Sequence, residues 1–259
     1  IISLLLIRVG IAHFEREYLL GREIDTFNFK WMVRAFWSNF TGGAASFRDW
    51  YGRVLGASFR RALPAMGLMV LVAAVSMYMS YDWIMTNASE TLSKTSPENL
   101  EKLEKSLEEL PDLSSLNERL NAPFLFFNNT RAMAVIFLAG MVSFSVLGVL
   151  LYMVNVSLIG GVYGLLELLG VSPLPIFLAG VLPHGIFELP ALLIGSAVVL
   201  YIGAALVTPQ NGKSMGEVII ELMADWAKIF LGVVVPLLAI AALVEAYITP
   251  TLLLQVMTK

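Results

Sequence analysis

Hydrophobic and polar positions alternate along this chain in long blocks, and the blocks predict membrane-spanning helices. Apolar runs of about 20 residues, long enough to cross a hydrocarbon core of about 30 Å, recur between shorter polar stretches. The clearest spans fall at 62–82, 131–153 and 228–249. The alternation of period two that a transmembrane barrel requires is absent from the sequence. The pattern therefore predicts an all-α fold: a polytopic helical membrane protein with about five spanning helices.

The stretch between the second and the last of these spans is harder to divide. The run 155–170 would rise about 24 Å as a helix, which is short for a crossing. The apolar run from Pro173 to Pro183 is shorter still. We expect 174–207 to be a broken segment, with a re-entrant piece that ends at Pro183 and a second piece, 186–207, that completes the passage. Such a break is tolerated at membrane depth only inside protein or beside a wet cavity.

Polar segments flank the spans and indicate how the chain is oriented. Residues 1–61 carry nine basic and five acidic residues and three tryptophans, a composition typical of helices that lie along a cytoplasmic membrane interface. Residues 83–130 have an acidic excess and contain an amphipathic leucine-rich helix, as expected of an extracytoplasmic loop. The segment 212–227 carries apolar and acidic residues on opposite sides, which predicts a cytoplasmic surface helix. The remaining region, 131–259, forms the membrane core.

Composition supports this class and excludes some chemistry. The chain is 58% hydrophobic and 14% charged, with a mean hydropathy of +0.76, whereas soluble domains carry roughly 25% charged residues. Because it contains no cysteine, disulfides, thiolate metal sites and cysteine nucleophiles are excluded. Beyond the basic flank there is no nucleic-acid footprint, so we expect no nucleic-acid partner. The expected location is the cell membrane, with a multi-pass chain and a cytoplasmic N-terminal region.

A few ionisable residues lie within apolar segments, and these are the candidate site. They are Glu167, His184, Glu188 and Glu245. A charge at the centre of a span costs from about 2.5 kcal/mol upward, so such residues face the protein interior and often mark function. Glu188 follows His184 by four residues and projects from the same helix side. The candidate cofactor is a divalent metal such as zinc, held by His184, Glu188 and either Glu245 or Glu167.

Two alternatives use the same polar cluster without a metal. In one, its residues form a proton or ion relay. In the other, His184 hydrogen-bonds a neighbouring carboxylate or a freed carbonyl and fixes the shape of a helix broken at Pro183 and Gly185. Asn129 and Asn155, at the two ends of the second span, complete the predicted polar cluster.

Helix packing and partners are also suggested by the sequence. Gly160 and Gly164 form a Gly-x-x-x-Gly surface that allows close helix approach. This surface and the amphipathic helices make a homodimer a plausible assembly. The leucine-rich helix of the acidic loop 83–130 has two alternative roles, packing on the protein itself or binding a protein partner. The lipid bilayer is the remaining expected partner.

The motifs of the C-terminal half resemble a known family. The strings NNTRAMAVIFLAG, LLYMVNVSLIGGVYG, LPHGIFELPA, IGAALVTP and AALVEAYITP follow one another across 128–250. Together they resemble the stage II sporulation protein M family of integral membrane proteins. The resemblance carries over to a set of polar, glycine and proline positions: Asn129, Gly140, Asn155, Gly160, Pro183, His184, Gly185, Glu188 and Glu245. It implies a structural signature with no established catalytic role.

The resemblance implies a function of anchoring rather than catalysis. The name-giving member is implied to be a membrane anchor that recruits peptidoglycan-degrading partners during engulfment, and many relatives occur in organisms that make no spores. The leading hypothesis is a multi-pass membrane scaffold or assembly factor. The alternatives are a transporter or channel that uses the polar cluster, and an intramembrane metal-dependent hydrolase. Enzymatic activity is left open, with a non-enzymatic role favoured.

Overall fold

The computed structural model describes residues 28–88, 121–208 and 212–257, and this part of the chain is helical without strands. The all-α prediction is confirmed. Helix α1 is amphipathic, the next five helices are long, and α7 closes the described chain. Their bounds are α1 Phe29–Thr41, α2 Phe47–Asn87, α3 Ala122–Val142, α4 Val146–Leu168, α5 Pro173–Leu206, α6 Met215–Tyr247 and α7 Thr249–Met257. The leucine-rich helix predicted within 83–130 lies outside the described residues.

Helices α2 to α6 are each long and apolar enough to cross a membrane. They contain between 21 and 41 residues, and at 1.5 Å per residue even the shortest exceeds 30 Å. The prediction of about five spanning helices is confirmed by length and composition. In α2, the α-helical Gly56–Trp83 is preceded by a π-helical segment, Trp50–Leu55, so the helix begins well before the predicted residue 62.

The turn between α3 and α4 differs from the prediction. The sequence suggested spans at 131–153 and 155–170, but the chain turns at 143–145 and α4 is a full-length helix. Phe144 and Ser145 adopt left-handed backbone angles, with φ of 51° and 72°. The Ser143 hydroxyl accepts a hydrogen bond from the Leu147 backbone N–H at 2.8 Å and donates one to the Ala139 carbonyl at 2.6 Å. The first bond satisfies the Leu147 N–H at the start of α4, whereas the Ala139 carbonyl also accepts from the Ser143 backbone N–H at 3.1 Å.

Helix α5 is continuous, in contrast to the predicted re-entrant break at Pro183. It comprises an α-helical turn Pro173–Ile176, a π-helical segment Phe177–Val181 and the α-helical Leu182–Leu206. Pro183 is the second residue of the last part and therefore an interior position of the continuous helix, where proline removes one backbone hydrogen bond. The wide π-helical turn before it accommodates the proline ring. The helix therefore passes through Pro183 and Gly185 without ending.

Helix α6 joins two elements that the sequence suggested were separate. The predicted surface helix 212–227 and span 228–249 form one stretch, with Met215–Ile229 and Val235–Tyr247 linked by the π-helical Phe230–Val234. Ser214 starts it with a capping box in which the Glu217 carboxylate accepts from the Ser214 backbone N–H at 2.7 Å. Much of the first part is buried, so it is not a solvated surface helix.

The described chain divides into two compact units. The first comprises residues up to Val70, Ala132–Tyr152 and Ala191–Leu237; the second comprises Leu71–Arg131, Met153–Pro190 and the residues from Leu238 onward. In the first unit, the Trp226 ring stacks on Phe137, with centroids 3.8 Å apart, and on Phe230 at 4.5 Å. Tyr152 is buried and donates from its hydroxyl to the Met69 carbonyl at 3.2 Å.

In the second unit, α4 packs on the C-terminal half of α2. A side chain at Gly160 would overlap the backbone of Met77, with an ideal Cβ only 2.7 Å from the Met77 carbonyl carbon. A Cβ at Gly164 would meet Tyr81 at 3.2 Å. The Gly-x-x-x-Gly surface therefore serves contact between two helices of the same chain. The homodimer stays a prediction that this surface does not support.

Candidate metal site in the second unit

His184, Glu188 and Glu245 come together in the second unit. Each offers one ligand atom, and these atoms all lie within 4.8 Å of one another. His184 and Glu188 stand one turn apart on α5, and Glu245 comes from near the end of α6. The His184 Nε2 and Glu188 Oε2 atoms are 4.0 Å apart, and the two side chains are 15% and 30% exposed. The three groups are half-buried, with two carboxylates directed toward one imidazole.

Thr249 orients the histidine from the opposite side. Its hydroxyl lies 3.2 Å from His184 Nδ1 and donates to the Val244 carbonyl at 3.3 Å. A hydroxyl has a single proton, so while it donates to the Val244 carbonyl it can only accept from the imidazole, which requires the tautomer with the hydrogen on Nδ1. In the neutral ring, Nε2 then presents its lone pair towards the carboxylates. A histidine ligand held through its other ring nitrogen is the usual arrangement in metal sites.

The spacing of the three groups suits a small divalent cation. Zinc binds imidazole nitrogen and carboxylate oxygen at about 2.0–2.2 Å, so neighbouring tetrahedral ligands lie about 3.4 Å apart. The observed separations, up to 4.8 Å, need side-chain shifts of about 1 Å to close on an ion. One nitrogen and two oxygen donors are compatible with zinc or a similar first-row cation. Three protein ligands would leave one position of a tetrahedral ion open.

Glu167 does not join this group. It is the fourth acidic candidate from the sequence, and its carboxylate accepts a hydrogen bond from the Tyr81 hydroxyl at 3.0 Å. Of the sets of three or more His, Cys, Asp and Glu side chains that could hold an ion, the described residues provide only His184, Glu188 and Glu245. Glu245 is thus the third ligand candidate, and Glu167 belongs to the contact between α2 and α4.

The other predicted members of the polar cluster have different positions. Asn129 is half-buried within α3 rather than at its end, and Asn155 is half-buried in the middle of α4. Pro183 immediately precedes the histidine in the first turn of Leu182–Leu206. At Gly185 an added Cβ would meet only ordinary contacts, the nearest at 3.7 Å. Gly185 therefore does not break the helix, and the geometry gives no steric requirement for glycine there.

A second cluster, in the first unit, was missed by the sequence analysis. Asp225 is 1% exposed and contacts three polar side chains. Its carboxylate accepts hydrogen bonds from Ser58 Oγ at 2.8 Å and from Arg61 Nη2 at 2.7 Å, and it forms an ion pair with Lys228 Nζ at 2.7 Å. Lys228 also donates to the Asn39 carbonyl at 3.2 Å. This buried ion cluster, defined by Ser58, Arg61, Asp225 and Lys228, joins helices α1, α2 and α6.

A weak signal for the buried ion cluster is present in the sequence. Glu217, Glu221 and Asp225 follow one another at helical spacing, which is also the pattern of a solvated surface. Glu221 fits that pattern, because its side chain is 31% exposed and it pairs with Lys213. Only Asp225 is followed three residues later by a lysine, at the point where the apolar run of α6 begins. This lysine, at the start of an apolar run, distinguishes Asp225 from Glu217 and Glu221.

The helices and the two polar clusters define a multi-pass, all-α membrane protein with ionisable groups held inside its helix packing. Comparison with known proteins narrows the class. The sequence model of the family described as stage II sporulation protein M matches residues 62–250. The chain belongs to this family, and the match begins well before the motifs at 128–250 from which the resemblance was predicted.

A relative and the solved structures complete the comparison. The chain is 30% identical over 149 residues to an uncharacterized protein of the archaeon Methanocaldococcus jannaschii, an alignment that covers 57% of this chain and 82% of the relative. No solved structure matches the chain significantly. Family membership is thus shown by sequence, and the fold by the structure described above.

Proposed function

We propose that the protein is a membrane scaffold whose C-terminal helices are held together by a divalent cation. One imidazole and two carboxylates favour zinc as that cation. His184 Nε2, Glu188 and Glu245 are the ligands. The observation that carries this proposal is their convergence from α5 and α6, with ligand atoms within 4.8 Å of one another. The scaffold is proposed for the cell membrane with its N-terminal region on the cytoplasmic side, which the basic excess of 1–61 supports.

Three protein ligands with one open position are the pattern of catalytic zinc sites, but the place of the ligands in the fold favours a structural ion. Glu245 lies near the end of α6, and Thr249 begins α7, so an ion bound to α5 would fasten the end of the chain's last long helix. Among the described residues, no further His, Asp or Glu belongs to this group of three ligands. In zinc metalloproteases of the His-Glu-x-x-His type, the general base is a glutamate that does not bind the ion. The hydrolase and transporter hypotheses remain alternatives.

Metal content of the purified protein tests the proposal. The full chain is purified in detergent, equilibrated with zinc, passed through a desalting column and analysed by elemental mass spectrometry. We expect one equivalent of zinc in the unaltered protein and a loss of binding in Glu188→Gln and Glu245→Gln. The matched control is Glu167→Gln, which removes an acidic group of the same kind from an apolar helix. It should retain the metal, because Glu167 bonds Tyr81 instead.

Thermal unfolding separates the structural ion from a catalytic one. A ligand present at 100 times its Kd stabilises the folded state by about 2.7 kcal/mol, which corresponds to roughly 5–10 °C in Tm for a chain of this size. Chelation should lower Tm by that amount in the unaltered protein and in Glu167→Gln, and leave Glu188→Gln unchanged. Absence of zinc from the folded, unaltered protein would refute the metal site. Bound zinc without an effect on Tm would refute its scaffolding role.

A further inference from the structure

Helix α1 presents three distinct sides. Its half-buried side includes Phe36, Asn39 and Phe40 and packs against α6. Beside it, Phe29, Val33 and Trp37 follow at intervals of four residues and are 67%, 40% and 55% exposed. Residues four apart share one side of a helix, so these three form a continuous apolar ridge. The third side is polar and exposed: Lys30, Arg34, Ser38 and Thr41.

The helix is fixed to the protein, so its exposed sides have a set orientation. The Asn39 carbonyl accepts from Lys228, and the Phe40 carbonyl accepts from Trp50 Nε1 at 2.8 Å. Gly42 ends the helix with a left-handed φ of 54°, where a Cβ would meet the Val54 side chain at 2.7 Å. Asn28 caps the start by accepting from the Trp31 N–H at 3.0 Å. The C-terminal end of the helix is therefore anchored to the rest of the first unit, and the apolar ridge stays uncovered by the described residues.

Charge indicates what covers this surface. Residues 28–61 contain six basic residues and one acidic residue, Asp49. Arg53 pairs with Asp49, and Arg61 pairs with Asp225. The other four, Lys30, Arg34, Arg48 and Arg60, form no ion pair with a described residue and are exposed. An apolar ridge flanked by these four cations is complementary to a lipid bilayer, in which the acyl region is apolar and the headgroups can be anionic.

We propose that α1 is a docking surface for acidic phospholipids: Phe29, Val33 and Trp37 enter the acyl region, and Lys30 and Arg34 bind the phosphate headgroups. The arrangement is that of an interfacial helix whose aromatic residues lie at headgroup depth. The site is separate from the metal site, so the two proposals succeed or fail independently. Acidic lipid should accumulate beside this helix and not beside the apolar helix surfaces elsewhere in the protein.

The chain contains no cysteine, which allows single labels to be placed without a background. Val33→Cys labels the apolar ridge, Ser38→Cys the polar side, and Val154→Cys an exposed apolar position on α4 that is 60% exposed. Each full-length variant is reconstituted in vesicles of phosphatidylcholine and phosphatidylglycerol. A fluorophore on the cysteine is quenched by nitroxide-labelled lipid of one headgroup or the other, at equal mole fraction. The ratio of the two quenching constants measures local enrichment.

We expect phosphatidylglycerol to quench more strongly than phosphatidylcholine at positions 33 and 38, and equally at 154. Lys30→Gln combined with Arg34→Gln should reduce the ratio, by up to roughly fivefold for each basic side chain at low salt. Lys213→Gln, which removes a charge paired with Glu221, should not change it. Equal quenching by both lipids at 33 and 38 would overturn the proposal. A label at 33 that no lipid quenches would also overturn it, because protein or water would then cover the ridge.

Discussion

Substitution of Asp225 by alanine should destabilise the protein by about 3–5 kcal/mol, because it leaves a buried cation without its partner. The Lys228 side chain is 5% exposed, and its ammonium lies 2.7 Å from Asp225 Oδ1. Arg61 is also 2.7 Å from the carboxylate, but its side chain is 42% exposed. Water can solvate the guanidinium once the carboxylate is gone, so its share of the loss is small. The expected loss of folding free energy therefore comes mainly from the Lys228 ammonium, which is left buried without a carboxylate.

A double-mutant cycle isolates that contribution. Lys228→Met leaves Asp225 bonded to Arg61 and to Ser58 at 2.8 Å, so we expect a loss of only about 1–3 kcal/mol. In the double variant Asp225→Ala with Lys228→Met no unpaired charge is buried. Its stability should equal or exceed that of Asp225→Ala, with a coupling of about 1–3 kcal/mol between the two sites.

Equilibrium unfolding in mixed detergent micelles, followed by far-ultraviolet circular dichroism, provides the free energies. The matched control is Glu221→Ala, one turn earlier on the same helix. Glu221 is 31% exposed and lies 3.9 Å from Arg61 Nη1, so its removal should cost no more than about 1 kcal/mol. Equal losses for Asp225→Ala and Glu221→Ala would refute the reasoning. So would a double variant whose loss is the simple sum of the two single ones.

Two further substitutions test helix packing and the orientation of the histidine. Gly160→Ala should destabilise by about 1–3 kcal/mol, because its Cβ would overlap the Met77 backbone, which cannot rotate away; Gly67→Ala, in open space on α2, should be neutral or stabilise by up to about 1 kcal/mol in the same unfolding assay. Thr249→Val should weaken zinc binding about 10–100-fold in a competition titration, because His184 loses the acceptor that orients it. Thr249→Ser should keep the affinity, and equal affinities for both variants would contradict that role.

The sequence identified the members of the candidate metal site but not their arrangement. His184, Glu188 and Glu245 stood out because each is ionisable and lies in an apolar run, where a charge is costly. Helical periodicity then placed the first two on one side of α5. Glu245 and Glu167 both stayed candidates for the third ligand, with Glu167 the weaker one because its apolar segment 155–170 is short. Only the packing of the helices shows that Glu167 meets Tyr81 instead.

The buried ion cluster shows where sequence patterns fail. Asp225 lies in an amphipathic helix, in which charges usually face water, so periodicity assigned it to a solvated surface, while Lys228 stood at the start of the predicted span 228–249. What makes burial tolerable is a partner set supplied from α2, and Arg61 lies 164 positions away in the chain. A pairing over such a distance leaves no local signal. The buried charge of Asp225 is stabilised by these contacts, and residues 212–227 alone do not show that the contacts exist.

The turn at 143–145 was missed for a different reason. It contains neither glycine nor proline, and a bulky residue such as Phe144 seldom adopts a positive φ. The space for it is provided elsewhere: a Cβ at Gly203 would lie only 2.6 Å from the Phe144 carbonyl oxygen. Glycine on α5 thus allows close approach of a turn that the local sequence disfavours. The apolar pattern continues through the turn, so hydropathy could not divide α3 from α4 correctly.

The π-helical segment of α5 explains why a Pro-His-Gly step can stand inside a continuous helix. In FLAGVLP, at 177–183, the Leu182 N–H bonds to the Phe177 carbonyl, one residue further back than in an α-helix. The similar FLGVVVP, at 230–236, forms the same bond from Val235 to Phe230, so each proline follows a widened turn. One inserted residue rotates everything after it by about 100°. In α5 this rotation sets the direction of His184 relative to Phe177–Val181, which packs on α7 through Gly180. Because α7 also supplies Thr249, the π-helical turn determines how the imidazole faces that hydroxyl, and the helix continues through Pro183 instead of breaking there.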